Sequence, residues 1–227
     1  MYYRFDPTFI ILIPAIILAF YAQIKVQTTF NEYLRVESLR GYTGAEVARY
    51  ILDRNGLNNV SIEVTGGMLS DHYDPRSRVL RLSNDVYYGT SIASISVAAH
   101  EVGHAIQHAN AYFPLVFRNS LVPIVNISSS MSWIFIMMGF VASRLFLDIG
   151  ILLFSAAVLF QVITLPVEFN ASSRAIDELV ANNLITFDEE KLSKRVLNAA
   201  ALTYIAAAAS AILQLLRLVL IRNSRDD

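Results

Sequence analysis

His100-Glu101-Val102-Gly103-His104 is the stretch of this chain with the clearest chemical content. On a helix, residues four apart differ by roughly 40° around the axis, so both imidazoles leave from one face. Two neutral imidazole nitrogens on one face are half of a catalytic zinc site. Glu101 is offset by one residue and falls beside such an ion instead of on it. There its carboxylate can take a proton from an activated water. Gly103 keeps the same face open. The run Ile92, Ala93, Ile95, Val97, Ala98 and Ala99 leads directly into the pair, and two of only four histidines are used by it. The competing reading is a pair of ordinary core histidines.

The elements that must hold this segment follow from composition. Of 227 residues, 55% are hydrophobic and 16% charged, against about 25% charged in soluble domains. Such a chain cannot hide its apolar residues inside a small soluble domain. Net charge is −1, so no global field recruits nucleic acid. The absence of cysteine excludes disulfides, thiolate zinc ligands and a cysteine nucleophile.

Four windows, 7–24, 119–143, 149–167 and 196–216, contain no Asp, Glu, Lys or Arg. A helix needs about 20 mostly apolar residues to cross a hydrocarbon core, so each window predicts a transmembrane helix. The first has a barely basic flank and no A-x-A site, and is read as a retained anchor. The second carries Asn126, Ser128, Ser129 and Ser130 in its first half, and the fourth is rich in alanine, which favours close helix packing. Two crossings separate the polar segment 25–118 from the polar segment 168–195, so both must lie on one side of the membrane. Lys25, Arg35, Arg40, Arg118, Arg174, Lys191, Lys194 and Arg195 flank spans on that side. Arg4, Arg144, Arg217, Arg222 and Arg225 flank them on the other. The balance favours a cytoplasmic polar face.

Within the first polar segment, Thr43-Gly44-Ala45-Glu46 fits a capping box. Val47, Tyr50 and Ile51 follow at helical spacing, and Gly56 suits the stop. Val60, Ile62 and Val64 alternate as a strand would, Gly66-Gly67 breaks it, and 78–82 reads as a second strand able to offer an edge to an extended substrate. The next helix starts near Ser91, runs through His104 and ends before Pro114.

A third metal ligand is still needed, with one position left open. Glu168 abuts the third apolar window, on the same side as the histidine pair by parity, and a charge there has a cost unless it is paired or coordinated. The alternative for it is an ordinary interfacial carboxylate. His108 continues the i, i+4, i+8 stripe, but its Cα lies about 6 Å further along the same helix than that of His104, a poor third corner for a tetrahedron, so it reads instead as a rim or hydrogen-bonding residue of the cleft. Asp177 and Glu178 read as solvated, and Asp148 falls across the membrane. His72, Tyr73 and Asp74 could line a cleft or stabilise an oxyanion, although a turn held by Asp74-Pro75 accounts for the loop. Asn170 and Ser172 could orient the carboxylate. Arg174 could cover the site or face anionic headgroups.

The blocks Asp71-His72-Tyr73-Asp74-Pro75-Arg76, Leu80-Arg81-Leu82-Ser83, Val97 through His108, and Leu165-Pro166-Val167-Glu168-Phe169-Asn170-Ala171-Ser172 together resemble the YugP-type family of bacterial membrane zinc metallopeptidases. The likeness covers nearly the whole chain. It implies one Zn2+ per chain, held by His100, His104 and Glu168, with Glu101 as catalytic base. The layout is also similar to the wider gluzincin group, including HtpX-type and CAAX prenyl proteases. Their third-ligand helix commonly reads E-x-x-x-D. Ser172 stands at the last of those positions here, a departure that bears on that residue's role and on any prenyl-peptide substrate.

The expected fold is therefore mainly α and integral to the membrane. Four transmembrane helices accompany a small α+β, zincin-like catalytic unit carrying the H-E-x-x-H helix, the whole forming one domain over 1–227. The expected function is a multi-pass zinc metalloendopeptidase of the bacterial inner membrane. It would act on peptide or membrane-protein substrates at the cytoplasmic face, by analogy in membrane-protein quality control, with room for a homo-oligomer. Two rivals are an intramembrane protease and a non-catalytic metal-binding scaffold. Against the first, Arg81, Asp85, Glu101 and Arg118 crowd the histidine pair too closely for a crossing of about 20 residues. Against the second, a structural ion would not need a base at Glu101.

Overall fold

The computed structural model describes residues 7–224. Arg4 and Arg225, two of the charges weighed above, lie outside them. The chain is mainly helical. After a 3-10 turn at Pro7–Leu12, α1 (Ile13–Tyr33) and α2 (Gly44–Arg54) precede strands β1 (Ser61–Thr65), β2 (His72–Asp74) and β3 (Val79–Ser83). Then come α3 (Asn84–Tyr87), α4 (Ile92–Ala109), α5 (Phe113–Val141), α6 (Arg144–Ala181) and α7 (Phe187–Asn223). Four stretches, Thr8–Tyr33, Phe113–Val141, Arg144–Ala181 and Phe187–Asn223, are long and apolar enough to cross a membrane. They contain the third and fourth charge-free windows, all but the first residue of the first, and all but the last two residues of the second.

The chain gathers into two compact units. One comprises Ile24–Val116 and Pro166–Leu202. It unites the two polar segments, as the parity argument requires. Its core is continuous from Phe30 and Tyr33 through α2, β3 and α4 to Ala175, Leu179 and Leu197. The helix α2 begins where the sequence says it should. Thr43 Oγ1 accepts the Glu46 N–H at 3.2 Å, and the Glu46 carboxylate accepts the Thr43 N–H at 2.8 Å. Its apolar stripe of Val47, Ala48, Ile51 and Leu52 is fully buried. The turn after it passes through Gly56 at φ +70°, a conformation that costs glycine little.

The sheet has the order β1-β3-β2, with β1 parallel and β2 antiparallel to β3. β3 is therefore paired on both sides and has no free edge, contrary to the expectation that it could receive a substrate. It also starts one residue later than the pattern suggests. Arg78 adopts φ +54°, a left-handed turn conformation that a strand residue cannot hold. The three-residue β2 is an edge strand lying in the stretch read above as a loop. Its end is held as expected of an Asp-Pro turn. Asp74 accepts Ser77 Oγ–H at 2.6 Å and Arg76 N–H at 2.9 Å, which lower its pKa to about 2.

The second polar segment is tied to the first by Glu189, near the start of α7. One of its carboxylate oxygens accepts the Leu39 N–H and the other the Thr186 N–H, each at 2.7 Å, and the residue is buried. The helix α6 does not end where the apolar window ends. It runs on through Pro166, which has no N–H to offer the preceding turn, and carries Glu168, Asn170, Ser172 and Arg174 on the same rod.

The other unit holds Phe117–Leu165 together with the chain up to Gln23 and from Thr203 onward. A tight link joins α5 to α6, and glycines let the two touch. A β-carbon on Gly139 would lie 2.6 Å from the Leu147 backbone, and one on Gly150 would lie 2.8 Å from the Ile136 nitrogen. The serines that make α5 polar in its first half turn inward on their own helix. Ser129 and Ser130 donate to the carbonyls of Val125 and Asn126, which satisfies hydroxyls where water is absent. Asp148 of α6 pairs with Arg222 of α7 at 2.8 Å.

In the first unit, Gly103 of α4 rests on α6. A β-carbon there would meet the Ala171 carbonyl oxygen at 2.6 Å. Gly103→Ala should lower stability by about 1–3 kcal/mol through this overpacking, measured by thermal unfolding in detergent. Gly66→Ala, whose β-carbon would meet nothing within 4 Å, is the control and should unfold like the parent.

Candidate metal centre

The α4 helix is capped by Ser91, whose Oγ accepts the Ser94 N–H at 3.1 Å, and it ends at Asn110. Its inner face is close to continuous apolar packing through Ala98, Ala99, Val102, Ala105 and Ile106. The two imidazoles of His100 and His104 leave from one side, edge to face, with ring centroids 4.8 Å apart. Opposite them, α6 presents Glu168, only 4% exposed. Its Oε2 lies 3.4 Å from His100 Nε2 and 3.5 Å from His104 Nε2. One donor atom from each of the three residues falls within 4.8 Å of the others.

The donor set fits a zinc ion. Two donors each about 2.1 Å from a tetrahedral ion are about 3.4 Å apart, close to the two contacts just given. Two imidazole nitrogens and one carboxylate oxygen are the donor types of three-ligand catalytic sites. The electrostatics agree. Burial disfavours the charged form of His104, but Glu168 and Glu101 outweigh it and raise its pKa. A pocket that draws a proton onto a buried imidazole also draws a cation.

Each imidazole is held from behind. His104 Nδ1 lies 3.0 Å from Gln107 Oε1. His100 Nδ1 lies 3.1 Å from Ser172 Oγ. Gln107 in turn donates to the Val167 carbonyl at 2.8 Å and to Asn170 Oδ1 at 3.0 Å, and Arg174 Nε donates to the same Asn170 oxygen at 2.8 Å. Arg174 is thus engaged inside the unit, one link away from Gln107.

Glu101 is 9% exposed and stands beside the cluster without joining it. One of its oxygens, Oε2, accepts the Tyr73 N–H of β2 at 3.0 Å. The Tyr73 hydroxyl meets His108 Nδ1 at 2.9 Å, so His108 pairs with β2 and is not one of the three clustered donors. Asp71 accepts the backbone and side chain of Ser83. Burial, with the charge of Glu101 adding to it, raises the pKa of Asp71. His72 is exposed, and its ring nitrogen pairs with the Ser70 carbonyl in its own loop. Among the alternative ligands, Glu178 binds Asn55 and Asn182, Asp177 lines a cleft of about 480 Å³ between α6 and α7, and Asp148 is paired in the other unit. Sequence reasoning gave no role to Gln107 or Asp71. A polar side chain three residues after His104, on the same face as the two histidines, was a usable signal for Gln107. Nothing in the spacing marked Asp71.

Residues 8–223 match the model of a family described as "Putative neutral zinc metallopeptidase". The chain is also 52% identical, over 217 residues, to "Putative membrane protease YugP" of Bacillus subtilis (strain 168), covering 95% of this chain and 96% of that one. No solved structure matches it significantly. With a family match that reaches across nearly its whole length and a relative alike over the same span, this chain belongs to that family of neutral zinc metallopeptidases.

Proposed function

We propose that the protein is a membrane-bound zinc metalloendopeptidase in which His100, His104 and Glu168 hold the ion and Glu101 moves the proton. The observation that carries this reading is the meeting of three donors, from two helices distant in sequence, beside a carboxylate that is not one of them. A zinc ion held there supplies Lewis acidity toward a water molecule and toward the scissile carbonyl.

The chain's own residues supply the rest. The Tyr73 N–H fixes Oε2 of Glu101, which leaves Oε1 to take the proton from water. The same carboxyl then passes it to the leaving amine nitrogen. β2 is the edge strand beside Glu101, and the N–H of its central residue is spent on holding that carboxylate. The helices that suit a bilayer and the excess of Lys and Arg beside the polar segments support a site at the cytoplasmic face of the bacterial inner membrane. There it would meet membrane-associated or partly unfolded chains, in keeping with membrane-protein quality control.

Glu101→Gln should retain stoichiometric zinc yet cleave an unstructured test protein about 10²–10⁴-fold more slowly. Parent-like cleavage by that variant would remove Glu101 from the mechanism. Glu168→Ala should lose the metal on dialysis, read by elemental analysis of the purified protein. Full occupancy would move the third ligand elsewhere.

A further inference from the structure

The contacts behind His104 have a direction that follows from what each group can donate. A guanidinium only donates. With Arg174 Nε 2.8 Å from it, the Asn170 side chain must present its oxygen. That oxygen also faces Gln107 Nε2 at 3.0 Å, and the second hydrogen of Nε2 goes to the Val167 carbonyl, which only accepts. The Gln107 amide is fully buried. Turned over, it would set its own oxygen against two others, with no water to relieve them. Its Oε1 is therefore committed to His104 Nδ1, 3.0 Å away. An amide oxygen cannot donate, so Nδ1 must carry the hydrogen. A neutral imidazole protonated there has its lone pair on Nε2, the atom that faces Glu168.

We infer that Gln107, oriented by Val167, Asn170 and Arg174, is the positioning residue that selects the tautomer of His104 and aims Nε2 at the ion. The inference rests on the metal site proposed above and deepens it. His100 has no equivalent. Its Nδ1 partner is the hydroxyl of Ser172, which can donate or accept and so selects neither tautomer. The two histidines are thus unequal, with His104 the preset ligand.

The test uses full-length protein in detergent, with zinc affinity read by chelator competition. The tautomer of His104 is read from imidazole ¹⁵N shifts of the ion-free protein, at a pH where the ring is neutral. Gln107→Leu should weaken zinc about 10–100-fold, the range for loss of a group that orients a ligand, and should shift the ring away from the Nδ1–H form. Asn170→Asp keeps an acceptor for both Arg174 and Gln107 and should bind like the parent, whereas Asn170→Ala should bind measurably more weakly. If Gln107→Leu does not fold, the Asn170 pair decides, and equal affinity of Asn170→Ala and parent would overturn the inference. If the parent binds zinc and His104→Ala does not, yet Gln107→Leu binds as tightly as the parent with the tautomer unchanged, the inference alone falls. If the parent binds no zinc, or His104→Ala binds as the parent does, the metal site falls and takes the inference with it.

Discussion

The contact between Gly103 and Ala171 is the constraint on which the site depends. There is no room for a β-carbon between the α4 backbone at that point and the carbonyl oxygen it faces. That approach lets side chains as short as histidine and glutamate meet across the seam. It also fixes register. Sliding either helix by one residue would move it by 1.5 Å and turn it by 100°, and the donors would no longer face one another. Backbone contact of this kind has few alternatives, because packed interiors respond to added volume by strain more than by adjustment.

A second constraint is electrostatic. Asp71, Glu101 and Glu168 approach one small region of the first unit. Buried carboxylates are tolerated when paired or hydrogen-bonded. Asp71 has Ser83, Glu101 has the Tyr73 N–H, and Glu168 has the two imidazoles. The surroundings are built for positive charge, and the imidazoles are held by their far nitrogens so that the near ones point inward.

Much of this was legible in the sequence. The capping box at Thr43, the start of α4 at Ser91 and the grouping of the two polar segments each rest on a local or counting rule that tertiary packing had no reason to override. The three clustered donors were legible because a carboxylate at the edge of an apolar stretch stands out. Other features were hidden for physical reasons. Loss of charge marks what a bilayer tolerates and not where a helix stops, so α6 outruns its window on both sides. A strand of three residues carries too little alternation to be seen, and a left-handed arginine that delays β3 has no glycine to betray it. The orientation of Gln107 depends on three residues of another helix, Val167, Asn170 and Arg174, which no spacing rule records.

Tyr73 fastens β2 to α4 at two points, by its backbone to Glu101 and by its phenol to His108, nearly two helical turns further along. Strand and helix therefore behave as a splinted pair. Any breathing of this unit that shifts the strand carries the proton-moving carboxylate along with it, so the two keep their mutual alignment. The seam between α4 and α6 is laced in its turn, by Gln107 to Val167 and Asn170 and by His100 to Ser172, so Glu101 and Glu168 reach the two histidines from separately fastened partners.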